Sequence, residues 1–363
     1  MSVLAAIAVL AVLIVVHELG HFIAARSQGI HVNRFSLGFG PILWKYQGPE
    51  TEYAVRAFPL GGFVGFPDDD PDSKIPPNDP NLLRNRPILD RAIVISAGVI
   101  ANLIFAYFLL VAQIGTVGVP QLNFQPGVLV ADVATQVSSA AVKAGIKQND
   151  IILAADGQEL GASQEALPNL MQIIQEHPKE PLPLTVQRGD RQISLTVTPD
   201  ATPEGKGRIG VQLANNGTVV SRRADNIFEA FRQGASEFQR IAVLTGQGFL
   251  QLISNFSQTA DQVAGPVKIV EIGASIAQSN AGNLFQFAAL ISINLALINI
   301  LPLPALDGGQ LAFLFIEGLR GKPLPTHIQD GVMQTGLMVL LGLGIFLIVR
   351  DTANLPWVQK LFQ

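Results

Sequence analysis

Apolar residues along this chain gather into four long blocks that are almost free of charged side chains. The blocks cover residues 1–25, 92–114, 284–303 and 331–349. At 1.5 Å per residue, each helix would be long enough to cross a hydrocarbon layer of about 30 Å. We therefore predict four transmembrane helices. A cleaved signal peptide is the rival interpretation of the first block, but that block lacks a positively charged start.

The segment between the second and third blocks shows other periodicities, typical of a small folded domain followed by helices. Strands are predicted at residues 127–133, 151–155, 182–187 and 192–198, and helices at 138–144 and 164–176. Ile227–Ser254 places apolar residues at mixed spacings between Arg and Glu side chains. This pattern predicts an amphipathic helix that either lies on the membrane surface or packs on the preceding domain.

The composition agrees with a membrane protein. Only 14% of the 363 residues are Asp, Glu, Lys or Arg, against roughly 25% in soluble domains, and the mean hydropathy is +0.36. A soluble enzyme of this size could not cover its surface with so few charges, so that class is excluded. The net charge of −4 has the wrong sign for a nucleic-acid partner. Because the chain has no cysteine, any metal must be held by His, Asp or Glu.

Basic residues predict the orientation in the membrane. The loop between residues 26 and 91 carries eight Lys and Arg, whereas the N-terminal end of the first block carries none. Positively charged loops stay in the cytoplasm, so this loop is expected there. Both termini and the segment from about 118 to 282 are then expected on the extracytoplasmic side.

The most informative motif is His17-Glu18-Leu19-Gly20-His21, inside the first block. Histidines four residues apart lie on one helical face, so both can bind one Zn²⁺ while Glu18 takes a proton from the attacking water. Three polar side chains in lipid cost several kcal/mol unless they are paired or ligated. This favours a metal site over the alternative, a polar cluster that joins helices. Helix rise places the site inside the membrane, nearer the cytoplasmic face.

Asp307 is the candidate for a third ligand at similar depth. It follows Leu301-Pro302-Leu303-Pro304, whose prolines end the third apolar helix, and precedes two glycines. Irregular backbone inside a membrane is tolerated only where it is buried in protein or lines a cavity. The alternative is that Asp307 caps the following helix.

Three asparagines lie in apolar helices. Asn299, eight residues before Asp307, is positioned to donate a hydrogen bond to a substrate carbonyl. Helix packing by amide side chains is the alternative for Asn294 and Asn299. For Asn102, packing is the preferred interpretation.

These motifs together resemble the site-2 protease family of intramembrane zinc metalloproteases, and its bacterial branch best. HELGH stands in the first helix, LPLPALDGG in a later one, and a domain lies between them. Further similar stretches are residues 34–40, 56–64, 265–267 and 292–295, together with Asn299. Two positions depart from the family pattern: Val99 stands where proline is usual, and Gln310 where histidine often follows LDGG.

The resemblance implies the composition of the active site. The zinc ligands would be His17, His21 and Asp307, with one zinc ion per chain. Glu18 would be the general base, and Asn299 would handle the substrate.

The resemblance also implies how substrate is held. Residues 56–64 match a membrane-associated β-hairpin that would bind an unwound substrate segment as an added strand. The substrate-binding residues implied are Arg56, Gly61, Gly62, Phe63, Asn294 and Pro304. The soluble segment is similar to a PDZ domain, in which Gly127, Val128, Leu129 and Val130 would bind an added peptide strand. Alternatively, that domain only excludes bulky substrates.

The expected fold class is a multi-pass α-helical membrane protein with four transmembrane helices, a membrane-associated β-hairpin and one inserted α+β PDZ domain. The expected segments are a first membrane half (1–115), the PDZ domain (118–215), amphipathic linker helices (222–282) and a second membrane half (283–363).

The expected function is cleavage of transmembrane segments of single-pass proteins after a prior cut, in regulated intramembrane proteolysis. Anti-sigma factors and signal-peptide-like segments are the substrates implied. The enzyme is expected to work as a monomer in the plasma (inner) membrane, in contact with the lipid bilayer and without nucleic acid. A non-catalytic PDZ scaffold with structural zinc or none, and a metal transporter, are the alternatives.

Overall fold

Two compact units make up the chain, Met1–Gly118 with Arg223–Gln363 and, between them, Val119–Arg222. The structure, a computed structural model, describes residues 2–70, 72–133, 139–255, 263–279 and 281–355.

Helices dominate the first unit. They are α1 (Ser2–Ser27), α2 (Ile88–Thr116), α5 (Ile227–Ser254), α6 (Pro266–Ser279), α7 (Leu284–Ile300), α8 (Asp307–Arg320) and α9 (Thr326–Ala353). Helices α3 (Ala140–Ala144) and α4 (Ala166–Glu176) belong to the second unit.

Three helices of the described chain, α1, α2 and α9, are long and apolar enough to cross a membrane. The third predicted span corresponds to α7, which is apolar but has only 17 residues. A helix of that length rises about 25 Å, less than the hydrocarbon thickness of about 30 Å. Crossing by four helices therefore stays a prediction.

The core of this unit forms where α2, α5 and α7 meet. Ile241 of α5 packs in one buried cluster with Leu110 of α2 and Ile293 of α7. The amphipathic α5 thus uses part of its apolar surface for protein contacts within the unit. At the start of α2, Arg91 forms a two-bond ion pair with Glu317 of α8.

A small sheet of two long strands, β1 (Arg34–Gln47) and β2 (Glu52–Gly65), precedes α2. The first half of β1 lies between two parts of β2, so that Phe35 pairs with both Tyr53 and Val64. The first half of β1 pairs parallel with the first half of β2 and antiparallel with the end of β2. The second half of β1 pairs antiparallel with the first half of β2. The predicted simple β-hairpin is therefore a mixed sheet.

The second unit is a sheet with two short helices. Its strands are β3 (Val119–Val133), β4 (Ile151–Ala155), β5 (Gln158–Glu159), β6 (Leu182–Arg188), β7 (Arg191–Val197), β8 (Asp200–Ala201), β9 (Gly207–Arg208) and β10 (Val211–Arg222). The helices are α3 (Ala140–Ala144) and α4 (Ala166–Glu176). The main sheet runs β10-β3-β4-β6-β7, all antiparallel, and β8 pairs with β9 separately.

Local patterns predicted this unit well. The strand at 151–155, the hairpin β6–β7 and helix α4 form where the alternation and helical spacing indicated. Helix α3 ends at Gly145, whose φ of 76° allows the left-handed cap. The start of the predicted helix at 138 lies outside the described residues.

An ion pair between a buried carboxylate, Asp150, and the partly exposed Arg188 stabilises the second unit. The Asp150 carboxylate is only 1% exposed and accepts hydrogen bonds from Arg188 Nε and Nη2 at 2.8 and 2.7 Å and from the Lys147 N–H at 2.8 Å. Burial acts to raise the pKa of Asp150, but these donors outweigh it and hold the pKa below its usual range. The same contact raises the pKa of Arg188.

Candidate metal centre

Two histidines of α1 face α2 because glycine lets the helices approach closely. A Cβ on Gly20 would lie 2.4 Å from the Ala97 carbonyl oxygen, and a Cβ on Gly98 would lie 2.3 Å from His21 Nε2. The i, i+4 spacing puts His17 and His21 on the same side of α1. Gly98 therefore supplies the room for both imidazoles at the α1–α2 contact.

Asp307 reaches the same place through an irregular turn between α7 and α8. Ala305 adopts a φ of +68°, a left-handed conformation that is uncommon for a residue with a side chain. A Cβ on Gly308 would lie 2.1 Å from the Leu301 carbonyl oxygen, so only glycine lets the turn fold back onto the start of α8. The turn thereby aims the first residue of α8, Asp307, at α1.

The three side chains converge closely. Asp307 Oδ2 lies 3.2 Å from His17 Nε2 and 3.4 Å from His21 Nε2, and the two Nε2 atoms are 3.3 Å apart. Within the residues that the structure describes, these are the one group of three His, Cys, Asp or Glu close enough to share a metal ion.

This donor set fits Zn²⁺. Ligand atoms about 2.0–2.2 Å from a tetrahedral zinc lie about 3.3–3.6 Å from each other, which matches the observed separations. Asp307 Oδ2 is also buried and has no hydrogen bond among the described residues. If both Nε2 atoms are unprotonated, as metal binding requires, two imidazole lone pairs and a carboxylate oxygen repel one another unless a cation lies between them. The geometry thus supports a zinc site with a fourth position open.

The other ring nitrogens of the histidines contact α2. His21 Nδ1 donates to the Val94 carbonyl oxygen at 2.8 Å, which leaves Nε2 of the neutral ring with a lone pair. His17 Nδ1 lies 3.2 Å from Nδ2 of Asn102, a residue that is completely buried.

Glu18 lies next to this cluster and against the small sheet. A Cβ on Gly62 of β2 would be 2.8 Å from Glu18 Cγ, and the Val64 N–H faces the Glu18 carboxylate. A carboxylate beside an open metal position is placed to accept a proton from water.

The structure shows which of the three asparagines lie at the metal centre. Asn299 is buried with its Nδ2 atom 3.4 Å from His17 Nε2, so its amide lies at the cluster. Asn294, five residues earlier on α7, lies about 140° further round the helix, on another side. Asn102, which sequence reasoning assigned to packing, directly contacts His17.

The remaining predicted substrate-binding residues contact other residues of the protein. Arg56 donates to Ser36 Oγ and to the Gly40 carbonyl oxygen, both at 2.8 Å, and its guanidinium stacks over Phe63. Gly61 has a φ of +118°. A Cβ on Gly61 would overlap the Phe39 ring, while Pro304 lies against Gly336 of α9. Among these residues only Gly62 lies against Glu18.

The prediction that Gly127–Val130 of the second unit binds an added peptide strand is wrong. Val128 and Leu129 pair with β10 on one side and with β4 on the other, so Gly127–Val130 offers no free edge to an added peptide. The alternation predicted the strand correctly, but strand order is a long-range property. On this side of the sheet the outer strand is β10.

Sequence reasoning missed two residues of the centre, Gly98 and Asn102. They lie four residues apart on α2, the spacing that puts two side chains on one helical face. That shared face, in the apolar stretch of α2 between Ser96 and Tyr107, was the available signal.

Comparison with known proteins agrees with this geometry. The model of the family described as Peptidase family M50 matches residues 5–343. The chain is 70% identical over 367 residues to "Putative zinc metalloprotease all3971" of Nostoc sp. (strain PCC 7120), covering 100% of both chains. It is 51% identical over 362 residues to "Membrane metalloprotease ARASP, chloroplastic" of Arabidopsis thaliana, covering 99% of this chain and 80% of that protein.

Among solved structures, the chain is similar to the PDZ domain of an SdrC-like protein from Listeria monocytogenes. The identity is 21% and the TM-score 0.21, over 24% of this chain and 87% of that chain.

Several observations now agree on the class of protein. In the part of the chain that the structure describes, three apolar helices are long enough to cross a membrane, and both relatives named above are called metalloproteases. The family model extends from the first helix to the last. This chain therefore belongs to peptidase family M50, the site-2 protease family, and is a membrane zinc metallopeptidase.

Proposed function

We propose that this metallopeptidase cleaves peptide bonds within transmembrane segments of single-pass membrane proteins, after an earlier cut has shortened the substrate. The observation that carries the proposal is the cluster of His17, His21 and Asp307 beside Glu18, in which both histidines and Glu18 belong to α1, a helix whose other residues are almost all apolar. One zinc ion per chain would be held by these three side chains. Because the metal centre would lie within the membrane, the peptide bonds that it hydrolyses belong to chains that lie in the membrane themselves.

The small sheet offers a binding edge for the substrate. Among the described residues, the end of β2 pairs with β1 on one side only, at Phe35–Val64 and its neighbours. The Val64 N–H on the other side points toward Glu18. A peptide strand added along this edge would run past the base, and its backbone would be extended, as hydrolysis of a helical segment requires.

The reaction follows from the positions of three side chains. Zinc, when bound, polarises the scissile carbonyl and increases the acidity of water. Glu18 accepts the proton of the attacking water and passes it to the departing amine. The Asn299 amide, beside His17, donates a hydrogen bond to the carbonyl oxygen as negative charge develops there.

Orientation and substrate choice complete the proposal. The basic loop between residues 26 and 91 lies in the cytoplasm, and the second unit and both termini lie outside. The centre is then in the membrane near its cytoplasmic face. The second unit excludes proteins with bulky ectodomains, and the enzyme acts as a monomer in the plasma membrane on anti-sigma factors or signal-peptide-like segments.

A Glu18→Gln variant tests the proposal. The purified full chain is reconstituted with a single-span model substrate, and cleavage is followed with and without a chelator. Because glutamine cannot accept a proton, the rate should fall at least about 10²-fold while zinc content stays at the wild-type level.

The matched control is Glu271→Gln, which makes the same change on α6, where the carboxylate pairs with Lys268 at the surface. It should cleave at the wild-type rate. Activity of Glu18→Gln within tenfold of wild type would contradict the assignment. If the wild-type chain leaves the model substrate uncut, cleavage of transmembrane segments is the wrong function.

A further inference from the structure

Both histidines of the metal centre use Nε2 toward Asp307 and Nδ1 toward α2. His21 has a backbone carbonyl, that of Val94, at Nδ1. A carbonyl only accepts, so it places the proton of neutral His21 on Nδ1 and leaves the Nε2 lone pair for a metal. His17 has a side-chain amide at the equivalent atom, that of Asn102.

The Asn102 amide can form either of two hydrogen bonds with His17 Nδ1. With Nδ2 toward the ring, as in this structure, the amide donates to Nδ1 and the ring proton must be on Nε2. His17 then donates toward Asp307 and offers no lone pair to a metal. With Oδ1 toward the ring, the amide accepts the Nδ1 proton and Nε2 becomes a ligand. A half-turn about the Cβ–Cγ bond interchanges the two arrangements.

The side-chain amide of Asn102 is buried and has few other hydrogen-bond partners. Asn102 is completely buried, and its Oδ1 has no hydrogen-bond partner among the described residues. Turning the amide therefore breaks no hydrogen bond made by that oxygen. The backbone at this position is held separately, since Ser292 Oγ of α7 donates to the Asn102 carbonyl oxygen at 2.8 Å.

We propose that Asn102 is a positioning residue for zinc: its amide oxygen accepts the Nδ1 proton of His17 and so presents Nε2 of His17 to the metal. Asn102 and the Val94 carbonyl then make α2 the element that sets the tautomer of both ligands. Partners of this kind orient the ring and increase metal affinity about 10- to 100-fold. The inference rests on the donor cluster and is independent of which bond the enzyme cleaves.

Zinc affinity of the purified, substrate-free full chain tests this role by competition with a chromophoric chelator. Asn102→Leu keeps the branching at Cγ but removes the acceptor, and should weaken zinc binding 10- to 100-fold. Asn102→Asp can only accept, and should bind zinc within about threefold of wild type. The matched control is Gln113→Leu, which removes another buried amide of α2 eleven residues away and should leave zinc affinity unchanged.

Each outcome decides the matter. Wild-type affinity in Asn102→Leu, or an equal loss in Asn102→Asp, would overturn the proposal, as would an equal loss in Gln113→Leu. If Asn102→Leu does not fold, Asn102→Asp decides alone: retained affinity supports an accepting oxygen, and a tenfold loss refutes it. If the wild-type chain binds no zinc, the assignment of His17, His21 and Asp307 as zinc ligands is wrong. Because no substrate is present, a failure of the proposed protease activity leaves these results unchanged.

Discussion

Gly62 of β2 lies against Glu18 of α1 so closely that a Cβ on the glycine would stand 2.8 Å from the glutamate Cγ. The same atom would be 3.0 Å from the Ser36 carbonyl oxygen of the neighbouring strand. Only glycine therefore lets the sheet and the helix meet here. The contact connects the segment proposed to hold substrate with the group proposed to move the proton.

Replacing Gly62 by alanine should push Glu18 away from the metal centre. A displacement of about 1 Å at a catalytic group can cost about 10²-fold in rate. We expect that loss in cleavage of a model transmembrane substrate, with zinc content unchanged. Gly246→Ala is the control, since a Cβ there meets no described atom within 4 Å. Wild-type cleavage by Gly62→Ala would show that the sheet does not position the base.

Gly98→Ala should damage the metal centre itself. The added methyl would lie 2.3 Å from His21 Nε2 and 2.7 Å from His17 Cε1, so at least one imidazole must leave its place. Zinc content after dialysis should fall well below that of the wild type. Gly115→Ala is the matched control on the same helix, because its nearest neighbour would be Ala230 Cβ at an ordinary 4.0 Å. Equal zinc content in the two variants would contradict the close approach.

Asp307→Asn should weaken zinc binding while the turn before α8 stays in place. The amide has nearly the same shape but carries no charge, so the site loses its one anionic ligand. We expect a loss larger than the roughly 10- to 100-fold that follows removal of a supporting residue. The measurement is the zinc dissociation constant, with Asp330→Asn, an exposed carboxylate of α9, as control. Unchanged affinity would mean that the third ligand lies elsewhere.

The Asp150–Arg188 pair predicts how the second unit responds to acid. Because the folded pKa of Asp150 is lowered, its ionised form stabilises the fold at pH values above the unfolded pKa of about 3.9. That contribution is lost as the pH falls through the lower folded pKa. The protection factors of amides in β4 and β6, which correct for the pH dependence of intrinsic hydrogen exchange, should therefore fall as the pH approaches that value.

Asp150→Asn should remove this pH dependence and destabilise the unit by about 2 kcal/mol at neutral pH, the scale of a hydrogen bond to a charged group. Asp190→Asn, in the exposed turn between β6 and β7, should change neither property. A pH response in Asp150→Asn equal to that of the wild type would assign the effect to other groups.

Much of the centre was predictable because its chemistry is local. The i, i+4 spacing of His17 and His21 depends only on helix geometry, and the prolines before Asp307 end a helix wherever it is placed. The strands and helices of the second unit likewise follow from alternation and helical spacing, including the hairpin of β6 and β7.

Other features depend on which segments meet. The strand at Gly127–Val130 was predicted correctly, but its two neighbours, β10 and β4, come from distant parts of the chain and occupy the edge assigned to a peptide. Similarly, nothing within α2 shows that Asn102 lies beside His17, 85 residues earlier.

The sequence by itself thus determined the long apolar helices, the two imidazoles and the identity of the third ligand candidate. Each follows from a feature within one stretch of the chain: an uninterrupted apolar block, the i, i+4 spacing, and the prolines and glycines around Asp307. Tertiary structure alone decided the distances of 3.2 to 3.4 Å that make these three side chains one site, and the glycine contacts that allow them. The physical reason is that close approach depends on the shapes of two surfaces at once, and those surfaces are far apart in sequence.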